Sequence, residues 1–255
     1  MLFQILSLEI DKYMEKKKCI AIVLSAGSGK RMNSDIKKQY LLIKDKPIIY
    51  YSLKTFQDSN IIDEIVLVTS SEDMEYVKTD IVAKYDFSKV KCITAGGKER
   101  YNSVYNGMKA AGECDYIYIH DGARPFVTEE IIERAYNSLI NYGSAVVGMP
   151  VKDTIKIVDE ECFVSDTPNR KSVWQVQTPQ CFEYKNAMNA YDRLIEEEKS
   201  GELINRGIQV TDDAMVVETF SMERGLSSVK LVEGSYENIK ITTPEDLKIA
   251  EVFVS

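Results

Sequence analysis

Residues 19–32 read Cys-Ile-Ala-Ile-Val-Leu-Ser-Ala-Gly-Ser-Gly-Lys-Arg-Met. The first six are apolar and of strand length; a run of small residues follows, then two cations. A strand that empties into glycines and then basic residues is suited to hold a phosphate. Backbone N–H groups can approach an anion there without side-chain interference, and a helix start beyond adds its positive end. The candidate anion loop is Ser25, Ala26, Gly27, Ser28 and Gly29, with Lys30, Arg31 and, a turn or two further, Lys38. Two familiar phosphate loops do not fit. The pattern G-x-x-x-x-G-K-[ST] needs glycine at 24 and a hydroxyl residue at 31, where this chain has Leu24 and Arg31. The dinucleotide pattern G-x-G-x-x-G fits Gly27 and Gly29 but meets Met32 at its third glycine.

Outward from this loop, apolar runs alternate with helical spacing. Ile20–Leu24, Glu64–Thr69, Val90–Thr94, Tyr116–His120 and Ala145–Met149 read as buried strands. Ile48–Phe56, Glu72–Tyr85, Arg100–Ala111 and Thr128–Asn141 read as helices, the last opened by Thr128 as cap with two acids behind it. Such alternation predicts an α/β fold, a mostly parallel sheet with helices on both faces. Ligands of such sheets sit beyond the carboxyl ends of the strands, which singles out the loops after residues 24, 94 and 120. Residues 150–181 break the rhythm. Asp153–Val158 alternates, Asp159–Glu161 turns, and Cys162–Ser165 returns, which predicts an inserted β-hairpin. A lone hairpin is marginal and has unpaired edges, so a second copy of the chain or the hairpin's own domain is expected to cover it. Glu183–Glu198 and Asp212–Phe220 then read as helices, Ser228–Val232 and Asn238–Ile241 as strands, and Pro244–Val252 as a final helix.

Composition bounds the function. With 255 residues, 44% hydrophobic and 28% charged, the chain has the make-up of a soluble α/β domain. Its net charge of -8 argues against nucleic-acid binding, yet leaves room for a local basic pocket. No apolar stretch approaches the ~20 residues of a membrane span. Five scattered cysteines without a C-x-x-C pair suggest neither a zinc site nor a disulfide framework, and point to buried thiols in the cytoplasm. Residues 1–18 lie outside the pattern that starts at Cys19 and are treated as an N-terminal extension without an assigned role. Residues 19–255 form the domain, with the hairpin arm at about 150–172.

Three further stretches carry candidate chemistry. In Tyr116-Ile-Tyr-Ile-His-Asp-Gly-Ala-Arg-Pro125, Asp121 at a strand end is placed to orient ribose hydroxyls or a metal-phosphate, and Arg124 to grip phosphate. His120, the one histidine of the chain, has no nearby Ser or Cys partner and reads as structural. Ala95-Gly-Gly-Lys-Glu-Arg-Tyr-Asn-Ser103 is a glycine turn entering a helix, where backbone groups could read a base edge. Arg170, Thr211 and Lys240 stand in scattered pieces. By themselves the two cations read as solvated charges and Thr211 as a helix cap.

Taken together and in this order, the pieces resemble the 2-C-methyl-D-erythritol 4-phosphate cytidylyltransferase family. The matching stretches are LSAGSGKRM from 24, KKQY from 37, GGKERYNSV from 96, IHDGARP from 119, VKDTIK from 151, TPNR from 167, QTPQ from 177, VTDDA from 210 and NIKITTPEDL from 238. The resemblance implies a Rossmann-like nucleotidyltransferase core whose β-arm clasps a partner in a homodimer. It implies that Arg31 and Lys38 contact the triphosphate and stabilise the transition state. Ser25, Ala26, Gly27, Gly97, Lys98 and Ser103 match positions that hold the cytidine, and Asp121 one that contacts ribose and acceptor. Arg170, Thr211 and Lys240 match groups that position the acceptor phosphate, Arg170 from the partner's arm. The chain departs from the family at Lys37, where proline is usual, which suggests a less rigid loop; at Ser25, where alanine is commoner; and at Asn169, where many members have aspartate.

The implied reaction joins CTP to a polyol phosphate, with Mg2+ carried mainly on the CTP phosphates and no protein metal site. A phosphate oxygen is already ionised at neutral pH, so the site needs aligned cations more than a general base. Ribitol-5-phosphate cytidylyltransferase is the sister alternative. A dinucleotide-dependent oxidoreductase is a remote one, weakened by the missing third glycine and the lack of an acid after the second strand.

Overall fold

The computed structural model describes residues 16–27, 36–221 and 229–254. Its centre is the opening strand, β1 (Cys19–Leu24), whose residues Cys19 to Val23 are fully buried. β1 lies between β4 (Glu64–Thr69) and β6 (Tyr116–Asp121), parallel to both, and β5 (Val90–Ala95) continues the parallel set beyond β4. On the other side come β10 (Trp174–Glu183), β7 (Ser144–Pro150) and β11 (Leu231–Glu233). The order is β11-β7-β10-β6-β1-β4-β5, with β10 antiparallel to both its neighbours and β11 parallel to β7.

The pleat sends alternate β1 side chains to opposite faces. Cys19, Ala21 and Val23 join a core built from α1 (Ile48–Asp58), the helical segment α2 (74–83) and α4 (Glu129–Tyr142). Ile20 and Ile22 join a second core built from α3 (Arg100–Ala111), α5 (Tyr184–Ser200) and α7 (Asp213–Phe220). A strand apolar at every position therefore reports a sheet covered on both faces. Full burial of each of these isoleucines contributes roughly 2 kcal/mol. α3 comes close to the sheet because Gly107 faces it; a Cβ there would lie 2.6 Å from Ile22 Cγ2 and 2.8 Å from Val68 Cγ2. α4 buries Ile131, Ile132, Ala135 and Leu139 on one stripe and ends at Gly143, whose φ of +70° only glycine adopts freely.

Several expectations need correction. The Glu72–Tyr85 helix starts as a 3-10 turn at Ser71–Asp73; α2 then runs as α-helix over Met74–Tyr76 and as π-helix over Val77–Ala83. Thr128 sits at the cap position of α4, but its side chain makes no cap bond. β10 was not foreseen, because Gln-Val-Gln-Thr-Pro-Gln lacks a strand's apolar rhythm and a proline normally excludes a central strand. The ladder accommodates it with a break in register against β7 between Val176 and Gln180. Asn238–Ile241 is irregular rather than a strand. It is fixed by single bonds, including Ile241 N–H to the Ala123 carbonyl at 2.8 Å, and not by a ladder. Part of the Ser228–Val232 expectation falls on undescribed residues, and the strand found is Leu231–Glu233. A short hairpin of β2 (Leu42–Ile43) and β3 (Lys46–Pro47) also went unforeseen.

The inserted hairpin is real but shorter than its sequence pattern: β8 (Ile157–Val158) pairs with β9 (Val164–Asp166). The Asp159 carboxylate closes its turn by accepting from the backbone N–H groups of Glu161 and Phe163. Among the described residues nothing covers its apolar side chains: Ile157, Val158, Phe163 and Val164 are all about half exposed or more. Cys162, at the turn, is exposed, contrary to the expectation of buried thiols, whereas Cys19 and Cys181 are buried.

Candidate active site

The carboxyl ends of β1, β5 and β6 open into one cleft of about 450 Å³. Its walls include Ser25, Ala26 and Gly27 from the first loop, Lys38 and Gln39, then Gly97, Lys98, Arg100 and Ser103, with Asp121 and Lys240 opposite. Ser28, Gly29, Lys30 and Arg31 lie outside the described residues.

Each wall is braced from behind. Ser25 donates its backbone N–H to the Val68 carbonyl at 2.7 Å and its hydroxyl to the same oxygen at 3.0 Å. The buried Gln39 amide donates to the Ser25 and Gly27 carbonyls at 2.5 and 3.2 Å and so occupies those oxygens. Lys38 opens a 3-10 turn, Lys38–Tyr40 (η1), held by the Tyr40 hydroxyl against Thr69 at 2.8 Å. The absent proline at 37 is replaced by a different restraint. Lys37 Nζ donates to Ser70 Oγ and to Asp73, each at 2.7 Å, and ties the loop to the end of β4.

The second loop is compact because glycine is required at two positions. A Cβ on Gly96 would lie 2.5 Å from Ala26 Cβ and 2.8 Å from Ser103 Oγ, and one on Gly97 would collide with Asn102. Ser103 Oγ accepts the Gly97 N–H at 3.0 Å and donates to the Glu99 carbonyl at 3.2 Å. The Glu99 side chain and Asn102 cap α3 reciprocally. Arg100 thus enters the cleft from the first turn of that helix.

Asp121 is the electrostatic centre. Its Oδ2 accepts from Lys240 Nζ at 2.6 Å, and its Oδ1 from Arg100 Nε at 3.3 Å. Burial pushes this carboxyl up, but Arg100 first, then Lys240 and Arg124, outweigh it and hold the group well below the usual carboxylate range. Lys38 Nζ donates to the Ile241 carbonyl at 3.2 Å, which ties it to the irregular segment that carries Lys240. That segment is clamped by buried Asn238, which donates to the Gln177 side chain and the Thr178 carbonyl. It leads into α8 (Pro244–Phe253), which is fixed by a capping box of Thr243 and Asp246.

His120 is fully buried and structural. Its Nε2 donates to the Arg124 carbonyl at 3.0 Å, and its Nδ1 accepts from Thr178 Oγ1 at 3.1 Å. The same Thr178 oxygen accepts the Asp121 backbone N–H at 3.1 Å, so the neutral imidazole holds the strand end that carries Asp121. Burial lowers the histidine to about 4.

Three expected site residues do not line this cleft. Arg124 turns its guanidinium to the Asn238 carbonyl at 2.7 Å and braces the Lys240 segment. Thr211 is exposed, and the cap of α7 is Asp212, which accepts from the Met215 N–H at 3.0 Å. Arg170 lies on the arm, exposed, and donates to the Lys152 carbonyl at 2.9 Å. Conversely, Arg100 and Asp213 form an ion pair of the site that the sequence reading did not anticipate. Arg100 Nη1 and Nη2 reach the two oxygens of fully buried Asp213 at 2.8 Å each. The signal available was an acid at the start of α7 together with a lone arginine opening α3.

The carboxylates of the cleft do not suit a protein metal cage. Both Asp121 oxygens are taken by cations, and Glu99 caps a helix. The family model described as 2-C-methyl-D-erythritol 4-phosphate cytidylyltransferase matches residues 19–255. The chain belongs to this family. A cytidylyltransferase of that name from Lachnospira eligens is 48% identical over 234 residues, 92% of this chain and 98% of its own length. One from Clostridium botulinum is 50% identical over 231 residues, 90% of this chain and 94% of its own. Among solved structures, the 4-diphosphocytidyl-2C-methyl-D-erythritol synthase from Anaerococcus prevotii superposes with a TM-score of 0.78 at 33% identity. That match covers 94% of this chain and 96% of the other. The mostly parallel sheet is therefore the cytidylyltransferase family's Rossmann-like core, and the chain is an enzyme of the transferase class.

Proposed function

We propose that the cleft transfers CMP from CTP to 2-C-methyl-D-erythritol 4-phosphate, releasing pyrophosphate and giving 4-diphosphocytidyl-2-C-methyl-D-erythritol for isoprenoid biosynthesis. The observation that carries this is the convergence of two small-residue loops, Lys38, Asp121 and Lys240 on one cleft of a chain from this family. An acceptor phosphate oxygen attacks the α-phosphorus of CTP. A new phosphorus–oxygen bond forms, the bond to the pyrophosphate oxygen breaks, and negative charge gathers on the leaving group. Lys38 and Arg31 neutralise that charge. Ser25, Ala26, Gly27, Gly97, Lys98 and Ser103 cradle the nucleotide, with Ser28, Gly29 and Lys30 continuing the loop. Lys240 and Asp121 receive the acceptor. The gain comes from aligning two anions and from preorganised charge, and no strong base is called for. A divalent cation such as Mg2+, held mainly by the CTP phosphates rather than by residues of the cleft, would supply further charge neutralisation beside Lys38 and Arg31.

Arg170 and Thr211 take part once a second chain is present. The undocked arm exposes apolar side chains, which favours a homodimer in which each arm brings its Arg170 to the partner's cleft. A polyol phosphate suits the cleft's acid and cations in this reading: Asp121 accepts from hydroxyls and Lys240 pairs with phosphate. Residues 1–18 remain outside this reading, in which the cytoplasm is the proposed location of the reaction. The expected outcome for Lys38→Ala is a loss of at least ~100-fold in turnover, about 2.7 kcal/mol of barrier, in a steady-state pyrophosphate assay. Near-normal turnover would remove Lys38 from the reaction.

A further inference from the structure

Behind Asp121 lies a buried chain of polar groups that packing alone does not call for. Tyr191, in the middle of α5 and fully buried, donates its hydroxyl to Asp213 Oδ1 at 2.5 Å. Asp213, fully buried at the start of α7, receives the fork of Arg100 at 2.8 Å on each oxygen. Arg100 turns its Nε to Asp121, and Asp121 holds Lys240 with its other oxygen. Three separate elements (α5, α7 and α3) thus converge on one carboxylate at the end of β6. The two acids and two cations balance in charge, so the buried pair is compensated. A fork on a planar carboxylate also fixes orientation as well as charge. With Nη1 and Nη2 committed to Asp213, the guanidinium plane is set, and so is the direction from which Nε meets Asp121.

We infer that Tyr191, Asp213 and Arg100 form a positioning relay that sets the orientation of Asp121 and thereby aims Lys240 at the acceptor. Asp213 and Tyr191 act through Arg100 and are positioning residues. This inference rests on the reading of Asp121 and Lys240 as the acceptor's subsite. Were the network only a buried structural brace, weakening it would lower the melting temperature or the active fraction and leave Michaelis constants alone. A relay moves the Michaelis constant for the acceptor.

The test measures kcat and both Michaelis constants, with thermal melts alongside, for Asp213→Asn, Tyr191→Phe and Lys240→Ala. The Asn variant keeps the shape and loses the charge. Arg100 is then drawn toward Asp121 in competition with Lys240. The expected result is a rise of roughly tenfold in the acceptor KM, of the size that a small misplacement of a binding group produces, with the CTP value changed less than about threefold. Tyr191→Phe keeps the ion pairs and is the variant sure to report if Asp213→Asn fails to fold; it is expected to move the same constant in the same direction by about threefold. An unchanged acceptor KM in Tyr191→Phe and in any folded Asp213→Asn, with losses confined to melting temperature or kcat, overturns the relay. If Lys240→Ala leaves the acceptor KM unchanged, the subsite reading itself falls and the relay with it.

Discussion

At the residue scale, the site is a set of charges whose partners decide their state. His120 shows this without touching the cleft. The imidazole is neutral in the fold because burial lowers it to about 4, whereas an unburied histidine titrates near 6.5. Between these values the unfolded chain binds a proton that the folded chain lacks. Stability from this residue is therefore fully present above about pH 6.5 and is lost as pH falls toward 4. Asp121, also depressed, adds a loss of the same sign at still lower pH. Urea midpoints at pH 7 and pH 5 should differ, and the difference should shrink in His120→Gln; an undiminished difference would place the acid sensitivity elsewhere. Much of this chemistry was legible in the sequence. Lys38, Asp121 and Lys240 were expected at the site and line one cleft. Arg100 and Asp213 escaped notice because their pairing joins residues 113 apart, a distance that no local pattern encodes. Arg124 is the converse case: an arginine expected at the anion site gives one N–H to the carbonyl of Asn238, which a distant segment brings to it.

At the element scale, the pattern of apolar runs located β1, β4, β6 and β7 to within a residue or so, because strands buried on both faces are apolar throughout; β5, an edge strand only partly buried and with Lys91 exposed, was located by its β-branched residues. β10 was invisible for the opposite reason. Its Thr178 and Gln177 are there to hold His120, Asp121 and the Lys240 segment, and polar residues chosen for such bonds erase the strand signal. The glycine turn at 96–97 is where an element sets the cleft's shape. Ala26 and Ser103 press on Gly96 from two sides. Gly96→Ala should force the two loops apart and raise the CTP Michaelis constant by about tenfold, as small displacements of positioning groups do, with the fold retained by circular dichroism. An unaltered constant would mean that the loops' close approach is incidental to nucleotide binding.

At the scale of the whole molecule, the domain gathers its two small-residue loops, Lys38, Asp121 and Lys240 in one cleft, which the arm does not line. The arm's Ile157, Val158, Phe163 and Val164 are exposed in the single chain, and its Arg170 does not line the cleft of its own chain. The proposed second copy would account for both facts. Phe163→Asp should move the sedimentation mass from two chains toward one and weaken acceptor use with it; a parent protein that sediments as one chain at micromolar concentration would rule the arm out as a dimer contact. The acceptor remains the most direct probe of the whole account. Pyrophosphate release from CTP should be rapid with 2-C-methyl-D-erythritol 4-phosphate and slow with ribitol 5-phosphate, with 4-diphosphocytidyl-2-C-methyl-D-erythritol as the isolated product. Turnover with ribitol 5-phosphate alone, giving CDP-ribitol, would contradict it.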